Sequence, residues 1–307
     1  MPELPEVEVV RAGLAAAVSG ATILGVEVFE PRSLKRHDPV AGAFETLLTG
    51  RVMQTPARRG KFLWIPLEGT PRRAIVAHLG MSGQILLREP GVQEAGLLRI
   101  RLHIETAPTL DGDHRELWVH FVDQRIFGSM AVDALVPTPD GAPAGLGTDE
   151  PLIPTQVAHI ARDPLDPAFG DAAFAAALAK RGSGIKRVLL DQTVVSGIGN
   201  IYADESLWAA RIHYEQPANS LSRAKVRTLL AEVRHVLEKA LAEGGTSFDA
   251  QYVNVNGNSG YFAHSLNAYG RQGEPCPRCG TPIVREKFMN RSSHFCPHCQ
   301  RLRLPRA

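Results

Sequence analysis

Residues 276–299 read Cys-Pro-Arg-Cys-Gly-Thr-Pro-Ile-Val-Arg-Glu-Lys-Phe-Met-Asn-Arg-Ser-Ser-His-Phe-Cys-Pro-His-Cys and contain all four cysteines of the 307-residue chain. The cysteines form two Cys-x-x-Cys pairs, Cys276 with Cys279 and Cys296 with Cys299, separated by sixteen residues. This spacing is typical of a tetrahedral site in which thiolates lie about 2.3 Å from one zinc ion. Because such a site leaves no position for a substrate, we expect one structural Zn²⁺ that folds a hairpin. Two disulfides or four unrelated thiols are the alternatives, although the lack of any other cysteine is typical of a reducing compartment.

Positive charge is concentrated around this predicted hairpin. The whole chain has a formal net charge of only +2, but residues 271–307 include eight basic and two acidic side chains, a net charge of +6. A hairpin this basic favours a polyanionic partner, and a solvated basic tail is the simpler alternative. No apolar run approaches the roughly 18 residues of a membrane span, and the first residues are acidic where a signal peptide is basic. We therefore expect a cytoplasmic globular protein with no membrane partner.

The hydrophobic patterns divide the rest of the chain into two parts. Apolar residues at helical spacing over 3–19 predict a helix that ends at Gly20. Short β-type runs broken by Gly and Pro follow, from 22 to about 135, and Ala- and Leu-rich helical periodicity marks the later part of the chain. The predicted fold is α+β and multidomain, with an N-terminal antiparallel β-sandwich flanked by helices and a C-terminal helical domain that carries a zinc-binding hairpin. The predicted boundaries are 1–136 for the sandwich, 137–154 for a Pro- and Gly-rich interdomain linker, 155–270 for the helical domain and 271–307 for the zinc finger.

A glycine-rich turn, Ser196-Gly197-Ile198-Gly199-Asn200, precedes one of the predicted helices. Asn is a preferred N-cap residue, and the glycines leave backbone amides directed beyond the helix end, where an anion such as a phosphate can bind. A turn of this kind between two helices is more often only a turn. Lys186, at the start of the preceding helix, could approach the same anion, although a single lysine is usually just solvated.

The N-terminus is the second unusual feature. Initiator Met is generally removed before a small residue, and the chain would then begin with the secondary amine of Pro2. Free α-amino groups titrate near 7.7–8.0, so part of this amine is nucleophilic at neutral pH. A secondary amine can attack a sugar C1′ and form an iminium ion, which promotes eliminations. The simpler interpretation is that Pro2 and Pro5 only favour the start of a helix.

Six sequence blocks follow one another along nearly the whole chain. They are Met1-Pro-Glu-Leu-Pro-Glu-Val-Glu8, Arg59-Gly-Lys-Phe-Leu63, His78-Leu-Gly-Met-Ser-Gly83, Asp123-Gln-Arg-Ile-Phe-Gly128, Gly197-Ile-Gly-Asn-Ile-Tyr-Ala-Asp-Glu205 and the cysteine hairpin. In this order and spacing they resemble the bacterial formamidopyrimidine-DNA glycosylases. The resemblance implies a zinc-containing, monomeric bacterial protein of the cytoplasm and nucleoid, with a helix-two-turn-helix domain that binds damaged double-stranded DNA.

The resemblance also implies an activity. The family consists of bifunctional enzymes of base excision repair, which are both DNA glycosylases and AP lyases and remove oxidised purines, 8-oxoguanine and formamidopyrimidines. Pro2 would be the nucleophile at C1′, Glu3 the general acid/base at the deoxyribose ring oxygen, and Lys61 a phosphate-binding residue that supports catalysis. The iminium would acidify the C2′ hydrogen, so that β and then δ elimination leaves a one-nucleotide gap.

Two further sets of residues follow from the resemblance. A base in a duplex must be extruded before it can react, and Met81, Arg125 and Phe127 would form the wedge that fills the gap, with Arg125 facing the orphaned cytosine. Ordinary core packing is the alternative for Met81 and Phe127. The phosphates that flank the flipped nucleotide would be held by four residues with sequence-independent contacts. These are Lys186, Asn200, Arg291 and, from the N-terminal domain, His78, which could instead simply be buried.

The chain departs from the family pattern at two loops. Ile126 stands where the family often has a second basic residue, and Asn290-Arg291-Ser292 stands where many members have Gly-Arg-Gly. We expect Asn290 to adopt positive φ in place of glycine. Residues 246–262 occupy the place of the family's lesion-capping loop, and we expect their backbone amides to contact the oxidised base.

Two rival functions also fit parts of the sequence. The related endonuclease VIII type removes oxidised pyrimidines with the same chemistry, but typically begins Pro-Glu-Gly-Pro-Glu and lacks the Arg-x-Phe wedge, so Leu4, Arg125 and Phe127 favour the purine enzyme. A non-catalytic zinc-ribbon protein could bind DNA with Lys186, Asn200 and Arg291 alone. Such a protein would not need the Pro2-Glu3 terminus.

Overall fold

The structure, a computed structural model, describes residues 2–93, 96–109, 111–245, 255 and 262–303. They form two compact units. The first contains the described residues up to His159 together with 244, 245 and 255, and the second contains residues 160–243 and 262–303. Within the described ranges, no helix has both the length and the apolar character needed to cross a bilayer. The predicted lesion-capping loop lies outside the described residues, except for Val255 and Phe262.

The first unit is built on two antiparallel sheets, as the β-type runs predicted. One sheet has the strand order β1-β6-β7-β5 and the other β2-β3-β4-β8-β9. Their facing apolar side chains form one core together with helix α1, in which Leu14, Ile23, Leu63, Ile75 and Phe121 are each at most 1% exposed. The elements are α1 (Leu4–Val18), β1 (Thr22–Val28), α2 (Phe44–Leu48), β2 (Ala57–Arg59), β3 (Phe62–Leu67), β4 (Arg73–His78), β5 (Gly83–Arg88), β6 (Leu98–Glu105), β7 (Glu116–Asp123), β8 (Ser129–Pro137) and β9 (Leu152–Pro154).

Helix α1 confirms the predicted N-terminal helix. Its apolar positions at the spacing of 3.6 residues per turn, among them Val7 and Val10, are buried in the core. Gly20 ends the helical stretch with φ +78°, a conformation that costs glycine little and other residues more. The helix therefore fixes the direction in which the chain approaches from Pro2.

Residues 137–154 differ from the predicted linker. β9 pairs with β8 in an antiparallel ladder, and Leu146 exchanges two backbone hydrogen bonds with Arg58, at 2.9 and 3.0 Å. A Cβ at Gly145 would lie 2.2 Å from the Arg58 carbonyl oxygen, so only glycine allows this close approach. The Pro- and Gly-rich segment thus completes the edge of the second sheet, and the boundary between the units comes later, after His159.

The second unit is helical and carries a two-stranded hairpin. α5 packs along α6, and the hairpin strand β11 contacts α5. The strands of the hairpin are antiparallel, with Phe288 opposite Arg291 and a two-residue turn between them. Its elements, with helices in the region of predicted helical periodicity, are α3 (Asp171–Ala179), α4 (Ile185–Leu189), α5 (Asn200–Ala210), α6 (Arg223–Ala242), β10 (Val284–Phe288) and β11 (Arg291–Phe295).

Candidate functional site

The N-terminal residues lie at the start of α1. Pro2 is buried and comes before the helix, because Glu3 is the N-cap residue and Pro5 lies in the first turn. The Glu3 side chain is 1% exposed, and its backbone N–H donates to Oε2 of Glu6 at 2.8 Å. The helix start, with its partial positive charge, therefore lies directly after the Pro2 nitrogen, where it disfavours a second positive charge.

A buried arginine joins α1 to the turn that carries Lys61. Arg58 is fully buried, and its Nε donates to Oε2 of Glu8 on α1 at 2.8 Å while its Nη1 donates to the Gly60 carbonyl at 3.1 Å. Gly60 and Lys61 form the two-residue turn between β2 and β3, and Gly60 has φ +56° there. Arg58 and Glu8 thus hold the turn against α1, although no local pattern marks them as functional.

His78 ends β4 in the same unit. Its ring packs on that of Phe62 with centroids 4.8 Å apart, and its Nδ1 accepts a hydrogen bond from the Gly80 N–H at 3.1 Å. Burial, followed by the positive charges of Arg36 and Lys61, lowers the pKa of His78 to about 4. The ring is therefore neutral at pH 7 and can offer a phosphate only an N–H donor from Nε2.

The three predicted wedge residues lie on two neighbouring loops, 79–82 and 124–127, which we call the wedge loops. Met81 is 44% exposed and Phe127 is 49% exposed, and Arg125 is also exposed. Core packing, the alternative for the two apolar side chains, is therefore wrong. A Cβ at Gly80 would lie 2.5 Å from the Phe127 carbonyl carbon, so glycine is required where the two loops touch.

Two charged side chains hold the backbone of the wedge loops: Asp123, which begins the block 123–128, and Lys35, which no sequence pattern revealed. Oδ1 of buried Asp123 accepts hydrogen bonds from Ser82 Oγ at 2.5 Å and from the Arg125 N–H at 3.1 Å, and its Oδ2 accepts one from Gly128 at 2.7 Å. Lys35 Nζ donates to the carbonyls of residues 126 and 127, both at 3.0 Å. Fixed in this way, the exposed side chains project from a rigid base, which a wedge requires.

Ile126, between Arg125 and Phe127, has φ +56°. For a β-branched residue this is a strained conformation, which costs on the order of 1–3 kcal/mol. Asn tolerates positive φ, so Ile126→Asn is expected to raise the free energy of unfolding by about 1 kcal/mol. The measurement is the denaturant midpoint, and Val40→Asn, at a position 91% exposed in a short 3-10 helix, is the matched control. Destabilisation by Ile126→Asn alone would show that Ile126 stabilises the loop by packing instead.

In the second unit, Lys186 and Asn200 meet the tip of the hairpin at one carbonyl group. Lys186 Nζ and Asn200 Nδ2 both donate to the Ser292 carbonyl oxygen at 3.1 Å. Asn200 is the first residue of α5 and Gly199 is the N-cap, one position earlier than predicted. The structure therefore brings the predicted clamp residues of this unit together, since Ser292 follows Arg291 directly.

Lys186 itself lies in the interior. Its side chain is 0% exposed, and Nζ forms an ion pair with Asp204 Oδ1 at 2.7 Å and donates to Ser293 Oγ at 2.8 Å. With the Ser292 carbonyl these partners match the three N–H donors of an ammonium group. The direct phosphate contact expected for Lys186 is not supported, because a phosphate would have to displace one of these partners from a buried site.

Arg291 is exposed and borders a cavity of about 430 Å³ that is also lined by Arg181, Arg187 and Met289. Three arginines and one acidic residue, Asp191, thus line the cavity beside the hairpin tip. In the turn of the hairpin Met289 has φ +52°, and Asn290 has negative φ, so the prediction for Asn290 is wrong. Arg181 and Arg187 were missed because isolated arginines in a helical region have no distinctive pattern.

Two acidic residues in the block that begins at Gly197 attach the hairpin and the segment before it to α5. Asp204 Oδ2 accepts a hydrogen bond from the His294 N–H at 2.9 Å. Glu205 is 1% exposed and accepts from the N–H groups of residues 267, 268 and 269 at 2.8–2.9 Å. Burial raises the pKa of Glu205, and these hydrogen bonds oppose that shift. The block therefore serves both the clamp and the attachment of the hairpin.

The four cysteines converge, as their spacing predicted. Their Sγ atoms all lie within 4.8 Å of one another, and those of Cys279 and Cys296 are 3.5 Å apart. Four sulfurs that each bind one tetrahedral zinc ion at about 2.3 Å lie roughly as far from one another as the Sγ atoms of Cys279 and Cys296 do. The four thiols therefore fit one structural Zn²⁺. Trp208 Nε1 lies 3.4 Å from Cys276 Sγ in donor geometry, and the Arg278 guanidinium covers its ring at 4.1 Å. These outer contacts orient a metal-binding thiolate.

Comparisons with known proteins agree with this geometry. Family models match for the formamidopyrimidine-DNA glycosylase N-terminal domain over residues 1–130, the H2TH domain of the same family over 160–251 and the zinc finger found in FPG and IleRS over 273–302. The formamidopyrimidine-DNA glycosylase of Leifsonia xyli subsp. xyli is 80% identical, over 98% of this chain and 100% of that protein.

Solved structures of the Lactococcus lactis protein are similar over the whole chain. A complex of Lactococcus lactis Fpg with DNA containing an abasic site is 29% identical with a TM-score of 0.78, over 97% of this chain and 99% of that one. A complex of a point mutant of that protein with DNA containing Fapy-dG is 30% identical with a TM-score of 0.79, over 98% and 100%. Both units and the hairpin thus have counterparts in DNA repair glycosylases, and the chain belongs to the formamidopyrimidine-DNA glycosylase family.

Proposed function

We propose that this DNA glycosylase is bifunctional, that it excises oxidised purines from duplex DNA and that it then cleaves the strand as an AP lyase with Pro2 as the nucleophile. The observation that carries the proposal is the N-terminus, where the Pro2 nitrogen precedes α1 and Glu3 is buried as the N-cap residue. A carboxylate is repelled by the phosphates of DNA, so this residue beside a secondary amine is not suited to binding DNA. It is suited to proton transfer at the sugar that the amine attacks.

The proposed reaction begins when the unprotonated Pro2 nitrogen attacks C1′ and the bond from C1′ to the damaged base breaks, and the base leaves with the proton that the Pro2 nitrogen then loses. Glu3 donates a proton to the ring oxygen O4′ as the bond from C1′ to O4′ breaks, which opens the sugar and leaves an iminium between Pro2 and C1′. The iminium withdraws electrons, so a proton is lost from C2′ and the 3′ phosphate leaves by β elimination. A second elimination releases the 5′ phosphate. Lys61, on the turn held by Arg58, is proposed to bind a phosphate near the reacting sugar.

The wedge loops support extrusion of the base. Removing a nucleotide from the stack costs a few kcal/mol, and apolar side chains that fill the gap recover part of that cost. Met81 and Phe127 are exposed and mounted on rigid loops, and Arg125 carries donors that can pair with the orphaned base. One of the similar solved structures is a complex with Fapy-dG DNA, and an oxidised purine is the lesion class that we propose for this chain. We propose that the enzyme acts as a monomer.

The clamp is proposed in a revised form. Arg291 contacts a phosphate directly, assisted by Arg181 and Arg187, whereas Lys186 and Asn200 position the hairpin through the Ser292 carbonyl. Arg291→Ala should weaken binding to damaged and undamaged duplexes alike and reduce the salt slope of the affinity by about one. Asn200→Ala should weaken both affinities as well, because one of the two bonds to Ser292 is lost.

The Lys186→Met variant tests whether Lys186 positions the hairpin or contacts a phosphate itself. It leaves Asp204 as a buried charge without its ammonium partner, so the free energy of unfolding should fall by about 3–5 kcal/mol. Arg291→Ala should leave it unchanged. Binding titrations at several salt concentrations and chemical denaturation measure both effects, with Arg227→Ala as an exposed control on α6. If Lys186→Met keeps full stability and lowers only the salt slope, Lys186 is a phosphate contact after all.

The experiment that tests the proposed function is Glu3→Gln, assayed on duplexes that contain 8-oxoguanine, an oxidised pyrimidine or a preformed abasic site. Loss of general acid/base help should slow excision of 8-oxoguanine by about 10²–10⁴-fold. Cleavage at the abasic site should suffer much less, because the base is already gone and the sugar opens spontaneously. Wild-type enzyme should prefer 8-oxoguanine to the oxidised pyrimidine. An equal loss of activity of Glu3→Gln on 8-oxoguanine and on the abasic site would exclude the proposed role of Glu3. A wild-type preference for the oxidised pyrimidine would favour the endonuclease VIII type of specificity.

A further inference from the structure

A second basic cavity lies in the helical unit, at the end of α5 opposite to Asn200. It has a volume of about 580 Å³, within the range of about 300–1,000 Å³ that ligand pockets occupy. α5 has 11 residues, so about 15 Å along the helix axis separates this cavity from the clamp. Because that distance exceeds the Debye length of about 8 Å at physiological salt, a phosphate held at the clamp does not neutralise this cavity.

The lining of the cavity combines basic side chains with neutral ones, such as Ile212 and Leu221, and with the zinc ligand Cys299. It has four permanent cations, Arg211, Lys225, Arg301 and Arg303, together with His213 and His298, and it has no acidic residue. In the part of the chain that the structure describes, none of the four cations forms an ion pair within 4.0 Å. The four cations are exposed, and together they create a positive potential at the cavity that attracts anions.

The cations are carried on a fixed backbone. Gln216, 7% exposed, donates to the Arg303 carbonyl at 2.7 Å and accepts from the Arg303 N–H at 2.9 Å. Gln300, 1% exposed, donates to the Ile212 carbonyl at 2.9 Å and accepts from the Cys296 N–H at 2.8 Å. Two buried amides thus tie residues 300–303 to the loop that follows α5, and the basic residues there are not a loose tail.

The two helices at the cavity are also fixed. Lys225 Nζ donates to the carbonyl of Ala210, the last residue of α5, at 3.2 Å. Arg211 follows with φ +54° and caps α5 through hydrogen bonds from its N–H to the carbonyls of residues 207 and 208. Three separate segments with a fixed backbone therefore carry cations around one volume, and the Lys225 ammonium is itself held in place, which lowers the entropic cost of binding an anion.

We infer that this cavity is a second phosphate-binding site, which takes the oxyanions of an oligophosphate or of a DNA segment other than the one under repair. Arginine is suited to phosphate because its fork of N–H donors matches two phosphate oxygens, and three of the four cations are arginines. The site would let the enzyme contact a second DNA segment while the clamp holds the first, or respond to a free oligophosphate. Both sources offer the same chemistry and differ in size.

The test uses a charge-reversal variant, Arg301→Glu/Arg303→Glu, and a control with the same change in charge, Lys180→Glu/Arg227→Glu, at two exposed positions outside the cavity. Sodium tripolyphosphate is titrated into the full-length protein in a calorimeter. In a second arm, protein saturated with an abasic-analogue duplex is titrated with a second labelled duplex. At least one of the two ligands should bind both the wild type and the control. The affinity of that ligand should fall at least about 10-fold in the charge-reversal variant, which corresponds to the loss of one charge-assisted contact.

Arg291→Ala distinguishes this site from the clamp, because tripolyphosphate affinity should survive that change. Excision of 8-oxoguanine by Arg301→Glu/Arg303→Glu in single turnover should stay within about twofold of wild type, since the cavity is one helix length from the clamp. The arm that shows binding identifies the source of the phosphate. No binding in either arm, or equal losses in the variant and the control, overturns the inference. Arg301→Gln/Arg303→Gln, which adds no negative charge, provides a milder variant if the reversed one unfolds.

Discussion

Borohydride is expected to trap a covalent complex between this protein and 8-oxoguanine DNA, with the new bond on the nitrogen of Pro2. Reduction converts the transient iminium into a stable amine, so trapping reports the proposed intermediate directly. If the N-terminus carries an uncleaved tag, the Pro2 nitrogen becomes a tertiary amide without a nucleophilic lone pair, and trapping should disappear completely. The same tagged protein, after cleavage to begin with Pro2, is the matched control. The intact mass of the active form should correspondingly lack Met1.

Pro2→Gly separates the chemistry of the amine from the shape of the proline ring. Glycine still offers an α-amine, which titrates near 7.7–8.0, so some trapping should remain. The adduct is located by peptide mass spectrometry after digestion of the DNA. An adduct on Lys61, with full trapping in the tagged protein, would overturn the mechanism and leave the DNA-binding assignment intact.

The features that were predictable from sequence are those with local causes. The α1 helix follows from apolar residues spaced by one turn, and its end follows from Gly20. The metal cluster follows from two Cys-x-x-Cys pairs, because each pair places two sulfurs on one turn of backbone. The wedge residues were identified by resemblance, and the exposure of Met81 and Phe127 on neighbouring loops leaves both side chains available for contact with DNA.

The features that were not predictable depend on partners distant in sequence. Arg58 contacts Glu8, 50 residues away, and Lys35 contacts the wedge loop across 91 residues. Lys186 has the same appearance in sequence whether it faces solvent or Asp204, and only the packing of the hairpin on α5 shows that it is buried. Composition likewise marked residues 137–154 as a linker, because Pro and Gly occur both in linkers and in edge strands.

Two predictions were wrong by one residue, the N-cap of α5 and the residue with positive φ in the hairpin turn, and the reasons differ. Asn200 is a good N-cap by propensity, but its side chain binds the Ser292 carbonyl instead and Gly199 takes the cap position. In the hairpin turn, Asn290 has the better propensity for positive φ, yet Met289 adopts it because the pairing of Phe288 with Arg291 fixes the two-residue turn. In both places a tertiary contact or strand register outweighed a preference worth roughly 1 kcal/mol.

Removal of zinc is expected to abolish DNA binding, although the metal site leaves no coordination position for a substrate. In the part of the chain described here, the apolar cluster of the hairpin consists of Ala268, Cys276, Ile283 and Cys296, with Trp208 and Cys299 packed against it. Two of the four buried members are metal ligands, and the hairpin also buries Phe288 and Phe295 against Tyr214. Without zinc the hairpin therefore keeps only a small core. Structural zinc contributes on the order of 10–16 kcal/mol in isolated fingers, far more than this cluster could supply.

Loss of zinc should weaken DNA binding because the hairpin is positioned through the carbonyl group of Ser292. When the hairpin unfolds, Ser292 leaves Lys186 and Asn200, and Arg291 loses the fixed position from which it is proposed to bind phosphate. Zinc is removed with a thiol-reactive reagent and a chelator, released metal is counted, and affinity for damaged duplex is followed by anisotropy. Binding should return when zinc is restored, and the released metal should amount to one ion per chain. Arg291→Ala with its zinc intact is the comparison, because it removes the contact and keeps the fold. Metal-free protein that binds and cleaves DNA normally would show that the hairpin folds on its own side chains, and the structural role of the zinc would then be wrong.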